Sequence, residues 1–241
     1  MSENPRRANP ITHWLASLAG KTDRPAVLVK ELGKRDRRRM LKHFLALDTN
    51  DRLLRFGTVL PDEQIHAYVN KIDFSRDIVF GVFSNVFQLV GVGHLAFGPA
   101  EPGRSANTSK ERVAEFGVSV SSSARGQGVG TRLFQRASIH CRNSDIDTLY
   151  MQCLSTNRTM MHIAKKAGME IKRTMMHIAK KAGMEIKREY GEADAYLHLP
   201  PPSPGSVMRE ALDEQLAVID YTVKANARAA VKWFTPRKRS K

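Results

Sequence analysis

Val118–Thr131 reads VSVSSSARGQGVGT. An alternating, β-branched run ends at Val120, three serines follow, and Arg125-Gly126-Gln127-Gly128-Val129-Gly130 opens a helical pattern that runs to Cys141. Glycine allows a tight turn and lets a ligand approach the backbone with no Cβ in the way. At a helix start, the N–H groups without intrahelical partners converge with the positive end of the helix dipole, so strand, glycine turn and helix together make a phosphate site. Two common phosphate loops fit poorly. The P-loop ends in Gly-Lys-Ser/Thr, whereas Gly130-Thr131 has no lysine, and the dinucleotide fingerprint needs GxGxxG early in a βαβ unit with an acid about 20 residues later. The alternative is a plain glycine-rich turn.

Working outward, Pro25–Leu32 reads as a strand. Asp36 caps a helix to about Leu47, with Met40, Leu41, Phe44 and Leu45 at helical spacing, and a second helix covers Asp62–Ile72. Ile78–Phe83 and Phe87–Phe97 form a hairpin, Glu101–Lys110 a polar loop, and Arg112–Val120 the next strand. After the helix Val129–Cys141 come a strand at Thr148–Leu154 and a last strand at Tyr196–Leu199. Residues 1–24 read as a flexible segment, and residues 200–204 (PPPSP) as a stiff linker. Residues 205–241 then form an appended helix and a basic tail. Met208, Leu212, Leu216, Ile219, Val223, Ala227 and Ala230 recur at three- and four-residue steps, an amphipathic stripe suited to the domain or to a partner chain.

Arg158–Lys172 (RTMMHIAKKAGMEIK) is repeated without a change as Arg173–Lys187. Solenoid repeats diverge and recur three or more times, so one perfect tandem copy reads as a recent duplication. Each unit is a helix stopped by a glycine (Gly168, Gly183) and a short strand, which predicts two helices, one of them extra.

The glycine turn resembles the Q/R-x-x-G-x-G/A signature of the GCN5-related N-acetyltransferase (GNAT) family. Asn157-Arg-Thr-Met-Met-His-Ile-Ala-Lys-Lys-Ala-Gly168-Met169, one strand later, resembles the same family's N-x-x-A-x-x-L-Y-x-x-x-G-F segment. The resemblance covers about Val27–Leu199. It implies a GNAT-like α/β fold, with a mixed, mostly antiparallel sheet flanked by helices, over a domain at residues 25–199 that contains 158–172/173–187. It also implies a fourth and fifth strand that splay around acetyl-coenzyme A. By that resemblance Arg125, Gly126, Gln127, Gly128, Val129, Gly130 and Thr131 hold the pyrophosphate, Val118 and Val120 pair through their backbones with the pantetheine arm, and Asn157 bonds the arm from the other side. The implied activity is N-acetyl transfer to a primary amine of a small molecule or protein, by direct attack on the thioester. Glu115 is the candidate base and His94 a weaker one, each with a structural role as its alternative. The family's tyrosine, seven residues after the asparagine, is Ala164 here, so the usual acid for the leaving thiolate is missing. Only the first repeat copy follows an asparagine, and only the second runs directly into the final hairpin, so activity below that of a single-copy form is expected.

The chain has 241 residues, 41% of them hydrophobic, enough for a sizeable core. Two cysteines, Cys141 and Cys153, exclude a disulfide framework and suggest a reducing compartment, hence a cytoplasmic protein. No metal site and no membrane span are expected. A net charge of +15 favours acidic partners. Two further readings follow: a coenzyme A-binding regulatory or interaction module without turnover, and a nucleic-acid-associated protein using Arg35–Arg39 and Arg237–Lys241. A homodimer is a further candidate assembly.

Overall fold

Seven strands in the order β1-β2-β3-β4-β5-β7-β6 form one sheet. They are β1 (Lys30–Leu32), β2 (Ile78–Phe83), β3 (Leu89–Ala96), β4 (Val113–Val120), β5 (Thr148–Leu154), β6 (Glu170–Arg173) and β7 (Glu192–His198). The helices are α1 (Arg37–Leu45), α2 (Thr49–Phe56), α3 (Asp62–Lys71), α4 (Val129–Asn143), α5 (Arg158–Lys166) and α6 (Pro204–Phe234). The structure, a computed structural model, describes residues 26–97, 112–173 and 191–234. Outside them lie the segment 1–24, the loop Glu101–Lys110, the basic tail and nearly all of the second repeat copy.

Every strand pairing is antiparallel except β4 with β5. That parallel pair runs only from Val113 to Glu115 (against Thr148–Tyr150), while β4 stays on β3 as far as Val120 and β5 stays on β7 over its full length. Beyond Glu115 the two strands therefore part, and the sheet opens into a wedge.

Each face of the sheet is apolar because its strands alternate inward residues. One face packs Phe80, Leu95, Phe116, Leu149 and Met151 against Leu133, Phe134 and Ala137 of α4 and Ile163 and Ala164 of α5. The other packs Val79 and Val92 against Met40 and Phe44 of α1 and Ile65 and Val69 of α3. Gly91 and Gly93 let α4 lie close, since a Cβ on Gly91 would stand 2.6 Å from Val129 Cγ1 and one on Gly93 2.9 Å from Phe116.

The expected fold class is the one observed, with local differences. β1 is shorter than the alternation suggested, and Asp36 sits in a 3-10 turn with α1 starting at Arg37. α2 was not anticipated: Asp48 caps it by accepting from the Asp51 N–H, and Gly57, at φ 73°, ends it. The first repeat copy supplies α5 and β6, and Lys172 and Arg173 pair with Asp194 and Ala193 of β7. The remainder of the second copy falls in the β6–β7 connection.

Ser203 and Ser206 exchange hydrogen bonds at the start of α6, which opens at Pro204, one residue before the 205–241 segment expected. The helix crosses α4, where Arg136 binds Glu210 at 2.6 Å and Glu214 at 3.2 Å, and Glu210 also meets His140 and Asn143. Burial pushes the Glu210 carboxyl up, but the hydrogen bonds from His140, Arg136 and Asn143 outweigh it and hold the carboxyl down to about 2. Farther along, Tyr221 packs edge-on against Phe83 and Phe87, and Lys224 and Arg228 donate to the Phe83 and Phe87 carbonyls.

Candidate active site

At the end of β4, Ser121 donates its N–H to the Val90 carbonyl of β3 at 2.8 Å. Peptide groups alternate sides along a strand, so those of Val120, Val118 and Phe116 face the other way, into the wedge. The wedge thus has a polar backbone edge beside an apolar floor. Past Ser121 the chain makes a 3-10 turn (Ser122–Ala124) and then the glycine turn, where Gly126 at φ 72° and Gly128 at φ 80° take left-handed conformations. Other residues adopt these at a cost. Gly128 is the N-cap of α4 and supplies no side chain to the helix start, so the N–H groups of Val129, Gly130 and Thr131 stand at an uncapped helix N-terminus. Gln127 turns its amide onto the Ser123 carbonyl, and Arg125 forms an ion pair with Asp51 of α2.

Asn157 is buried beside the wedge. Its Oδ1 caps α5 by accepting the Met160 N–H at 3.1 Å, so Nδ2 is its remaining side-chain donor.

Where β4 and β5 part lies a cavity of about 210 Å³. Residues 54–57 of α2 and its C-cap, 115–118 of β4, 151–154 of β5 and Met160 line it. Glu115 borders it, exposed, at the last position where the two strands pair. Cys153 also lines it; burial, then the Asp194 charge, pushes its thiol up, which leaves it a poor nucleophile.

Arg55 brings a charge to this cavity. Its guanidinium lies over Gly117, where a Cβ would stand 2.6 Å from Cζ, and stacks on Phe56 and Tyr68 at 5.0 and 5.6 Å. It donates to the Tyr68 hydroxyl at 2.7 Å, and that hydroxyl meets His94 Nδ1 at 2.8 Å. An arginine only donates, so Tyr68 accepts from Arg55 and donates to a neutral His94. His94 Nε2 then lies 3.3 Å from Asp77 Oδ2, an ion-pair distance without hydrogen-bond geometry. Burial lowers the His94 pKa, and the Arg55 charge lowers it further, against the pull of Asp77. His94 is 9% exposed and stands outside the cavity lining, joined to it through Tyr68 and then Arg55.

A second buried histidine joins the layers. His43 of α1 donates from Nδ1 to the Leu89 carbonyl at 3.2 Å and accepts at Nε2 from the Ser119 hydroxyl at 2.8 Å. Burial, aided by the Arg55 charge, lowers its pKa to about 4.

Of the residues singled out in the sequence, Glu115 and Val118 line the cavity, Val120 ends β4, Arg125–Thr131 form the turn and the first turn of α4 that follow, Asn157 caps α5, and His94 lies in the buried network on β3. Arg55, Tyr68 and His43 escaped the sequence reading. The cap-and-glycine pattern Asp48…Gly57 was the one signal that could have found α2, and with it Arg55.

A profile of the acetyltransferase (GNAT) family matches residues 39–169. The chain belongs to this family. No curated protein matches the chain. Among solved structures, this GNAT protein is similar to the GNAT domain of S. lividans PAT (17% identity over 71% of this chain and 89% of that chain, TM-score 0.54). It is also similar to the Salmonella typhimurium structure that holds acetyl-CoA as its cofactor (13% identity over 74% and 97%, TM-score 0.53). The spermidine N-acetyltransferase of Vibrio cholerae, in complex with CoA and spermine, matches at 18% identity over 71% and 95%, TM-score 0.51. At these identities the likeness is one of fold. As an acetyltransferase of this family, the chain has no helix among the described residues that is long and apolar enough to cross a membrane.

Proposed function

We propose that the protein is an acetyl-coenzyme A-dependent N-acetyltransferase acting on a primary amine. The observation that carries the reading is the continuity of the wedge: an uncapped helix start at Val129–Thr131, an open backbone edge along Val120 and Val118, and a cavity ending at Glu115. A diphosphate, an amide-bearing arm and a thioester need these three features in that order. The residues fit acetyl-coenzyme A, with Val129–Thr131 for the diphosphate and Val118, Val120 and Asn157 for the arm. Arg125 joins the diphosphate only by leaving Asp51. The bound thioester supplies an acyl group activated toward amines.

The chain's own residues then set the protonation states. A lysine-like amine, with pKa about 10.4, costs about 4–5 kcal/mol to hold neutral near pH 7. The Arg55 guanidinium disfavours a second cation beside it, which lowers that cost, and Glu115 takes the proton, directly or through a water. The Val118 N–H, aimed into the wedge, stabilises developing negative charge on the carbonyl oxygen. Ala164, fully buried in α5, has no proton to give a leaving thiolate, so that proton comes from solvent.

Calorimetry with acetyl-coenzyme A, followed by thiol release across a panel of amines, tests the reading. Gly128→Glu places a carboxylate at the diphosphate and abolishes binding; Glu115→Gln keeps binding and lowers kcat about 100-fold or more. Binding without thiol release from any amine would select a coenzyme A-binding module instead, and undiminished binding by Gly128→Glu would refute the site.

A second reading has its own observation. Arg35, Arg38, Arg39 and Lys42 meet Arg228 of α6 around a cleft of about 680 Å³ with no carboxylate among the described residues that line it. That cleft suits a nucleic-acid backbone, and oligonucleotide binding whose affinity rises steeply as salt falls tests it.

A further inference from the structure

Arg55, on α2, lines the cavity between β4 and β5 with no carboxylate in ion-pair contact among the described residues. Arginines nearby differ: Arg52 pairs with Asp62 at 2.7 Å, and Arg125 with Asp51. The Arg55 guanidinium lies flat on β4, since Cζ, Nη1 and Nη2 each stand 2.6 Å from the place a Gly117 Cβ would take. Stacking on Phe56 and Tyr68 and a hydrogen bond from Nη2 to the Tyr68 hydroxyl hold it there, and His94 fixes that hydroxyl in turn at 2.8 Å. A guanidinium carries five donors. Among the described residues Tyr68 alone accepts from this one, and Nε is buried with no partner. An unpartnered buried donor is costly, and the fork of an arginine matches the two oxygens of a carboxylate.

We infer, on the acetyltransferase reading, that the acceptor amine carries a carboxylate within a few bonds of its nitrogen, as a free amino acid does, and that Arg55 binds it. Three observations select this class. First, side chains alternate along a strand, so Glu115 and Gly117 address the same face of β4 about 7 Å apart. Glu115 meets the amine while Arg55, lying on Gly117, meets the carboxylate. That spacing is one a zwitterion spans with a hydrogen bond at each end. Second, the Arg55 charge opposes a second ammonium, which disfavours diamines. Third, the cavity of about 210 Å³ is smaller than the about 300 Å³ at which pockets for drug-sized ligands begin, which suits a small acceptor. A carboxylate on Arg55 offsets the repulsion that the guanidinium exerts on the amine, so removal of the proton then falls to Glu115.

Titration calorimetry of the full chain, with and without saturating coenzyme A, tests this. The probes are leucine, methionine, glutamate and phenylalanine, each beside its α-amide and its decarboxylated amine. At least one amino acid is expected to bind about 10- to 100-fold tighter than both of its uncharged-end counterparts. Arg55→Gln removes that preference. Because Arg55 packs among aromatic rings, Gly117→Ala provides a second variant: it keeps the arginine, pushes the guanidinium off the strand by about 0.9 Å and lowers the preference several-fold. Arg76→Gln, which removes an exposed charge outside the cavity, leaves the preference intact. Where thiol release is measurable, the same variants raise KM for the amino acid more than for its decarboxylated amine. Equal or tighter binding of the amides and decarboxylated amines overturns the inference, as does a preference that survives Arg55→Gln or is undiminished in Gly117→Ala. If acetyl-coenzyme A binds and no amino acid does, the inference falls and the acetyltransferase reading stands. If no acetyl-coenzyme A binds but the Arg55-dependent preference is seen, that reading falls and the carboxylate site is upheld.

Discussion

Gly91→Ala tests the link between core packing and the phosphate turn. Gly91 of β3 pairs with Val120 and lies beneath the first residue of α4. A Cβ there would meet Val129 Cγ1 at 2.6 Å and Leu133 Cδ1 at 3.1 Å. Ordinary carbon contacts begin near 3.5 Å, so about 0.9 Å must be found. Val129 is β-branched, 4% exposed and stiff at χ1, so it cannot swing clear. The start of α4 must lift instead, carrying the N–H groups of Val129, Gly130 and Thr131 with it. Overpacking of this kind costs about 1–3 kcal/mol, which lowers Tm by about 2–12 °C for a domain of this size. A displacement near 1 Å in a positioned site costs up to about 100-fold in rate, and the acetyl-coenzyme A affinity should fall by ten-fold or more. The assay pairs thermal unfolding with titration calorimetry. Gly205→Ala, at a glycine with nothing within 4 Å, serves as the neutral control. If Gly91→Ala kept both the wild-type Tm and the wild-type affinity, then either α4 does not sit on Gly91 or its first turn does not hold the diphosphate.

Three further outcomes are expected. His43 is neutral in the fold down to about pH 4, whereas its unfolded imidazole takes a proton near pH 6.5, so stability falls as pH drops through that window. The loss is about 3 kcal/mol, and urea titrations should show it shrink in His43→Gln. Glu210→Gln removes one of the two carboxylates paired with the buried Arg136, whose side chain is 4% exposed, and costs about 2–3 kcal/mol; hydrogen exchange should show α6 opening before the sheet. Because the Glu210 carboxyl is held near 2, its contribution is present above about pH 4.5 and is lost as pH falls toward 2. Deleting residues 173–187 places Arg188 where Arg173 now ends β6, which keeps the strand sequence and shortens its connection to β7 from 18 residues to 3. Loop-closure entropy alone favours the shorter form by about 1.6 kcal/mol, and both its Tm and its thiol-release rate are expected to exceed those of the present chain.

Most of the fold was legible because its signals are local. The β-branched runs at Ile78–Phe83, Val113–Val120 and Thr148–Leu154 and the helical spacing in Val129–Asn143 report their own secondary structure. So do the two left-handed glycines, since no other residue suits that backbone as readily. α2 was harder to see: eight residues with Leu53, Leu54 and Phe56 carry too short a period to separate from a loop. The β1 alternation overstated its strand because Val27 and Val29 bury themselves in the α4-side core without pairing to β2.

The sequence by itself determined the class of fold, the glycine turn and the strand leading into it, because backbone conformation and alternation are set by neighbours a few residues apart. Only the tertiary structure decided that Arg55 lies on Gly117, that Tyr68 joins it to His94, that Arg125 rests on Asp51, and that α6 engages its acids on α4 and exposes its apolar row. Those contacts join residues 13 to 78 positions apart, or depend on which of two amphipathic faces meets the domain. The chain's local pattern carries no record of either, since the energy that selects them arises only once the distant partners are desolvated together.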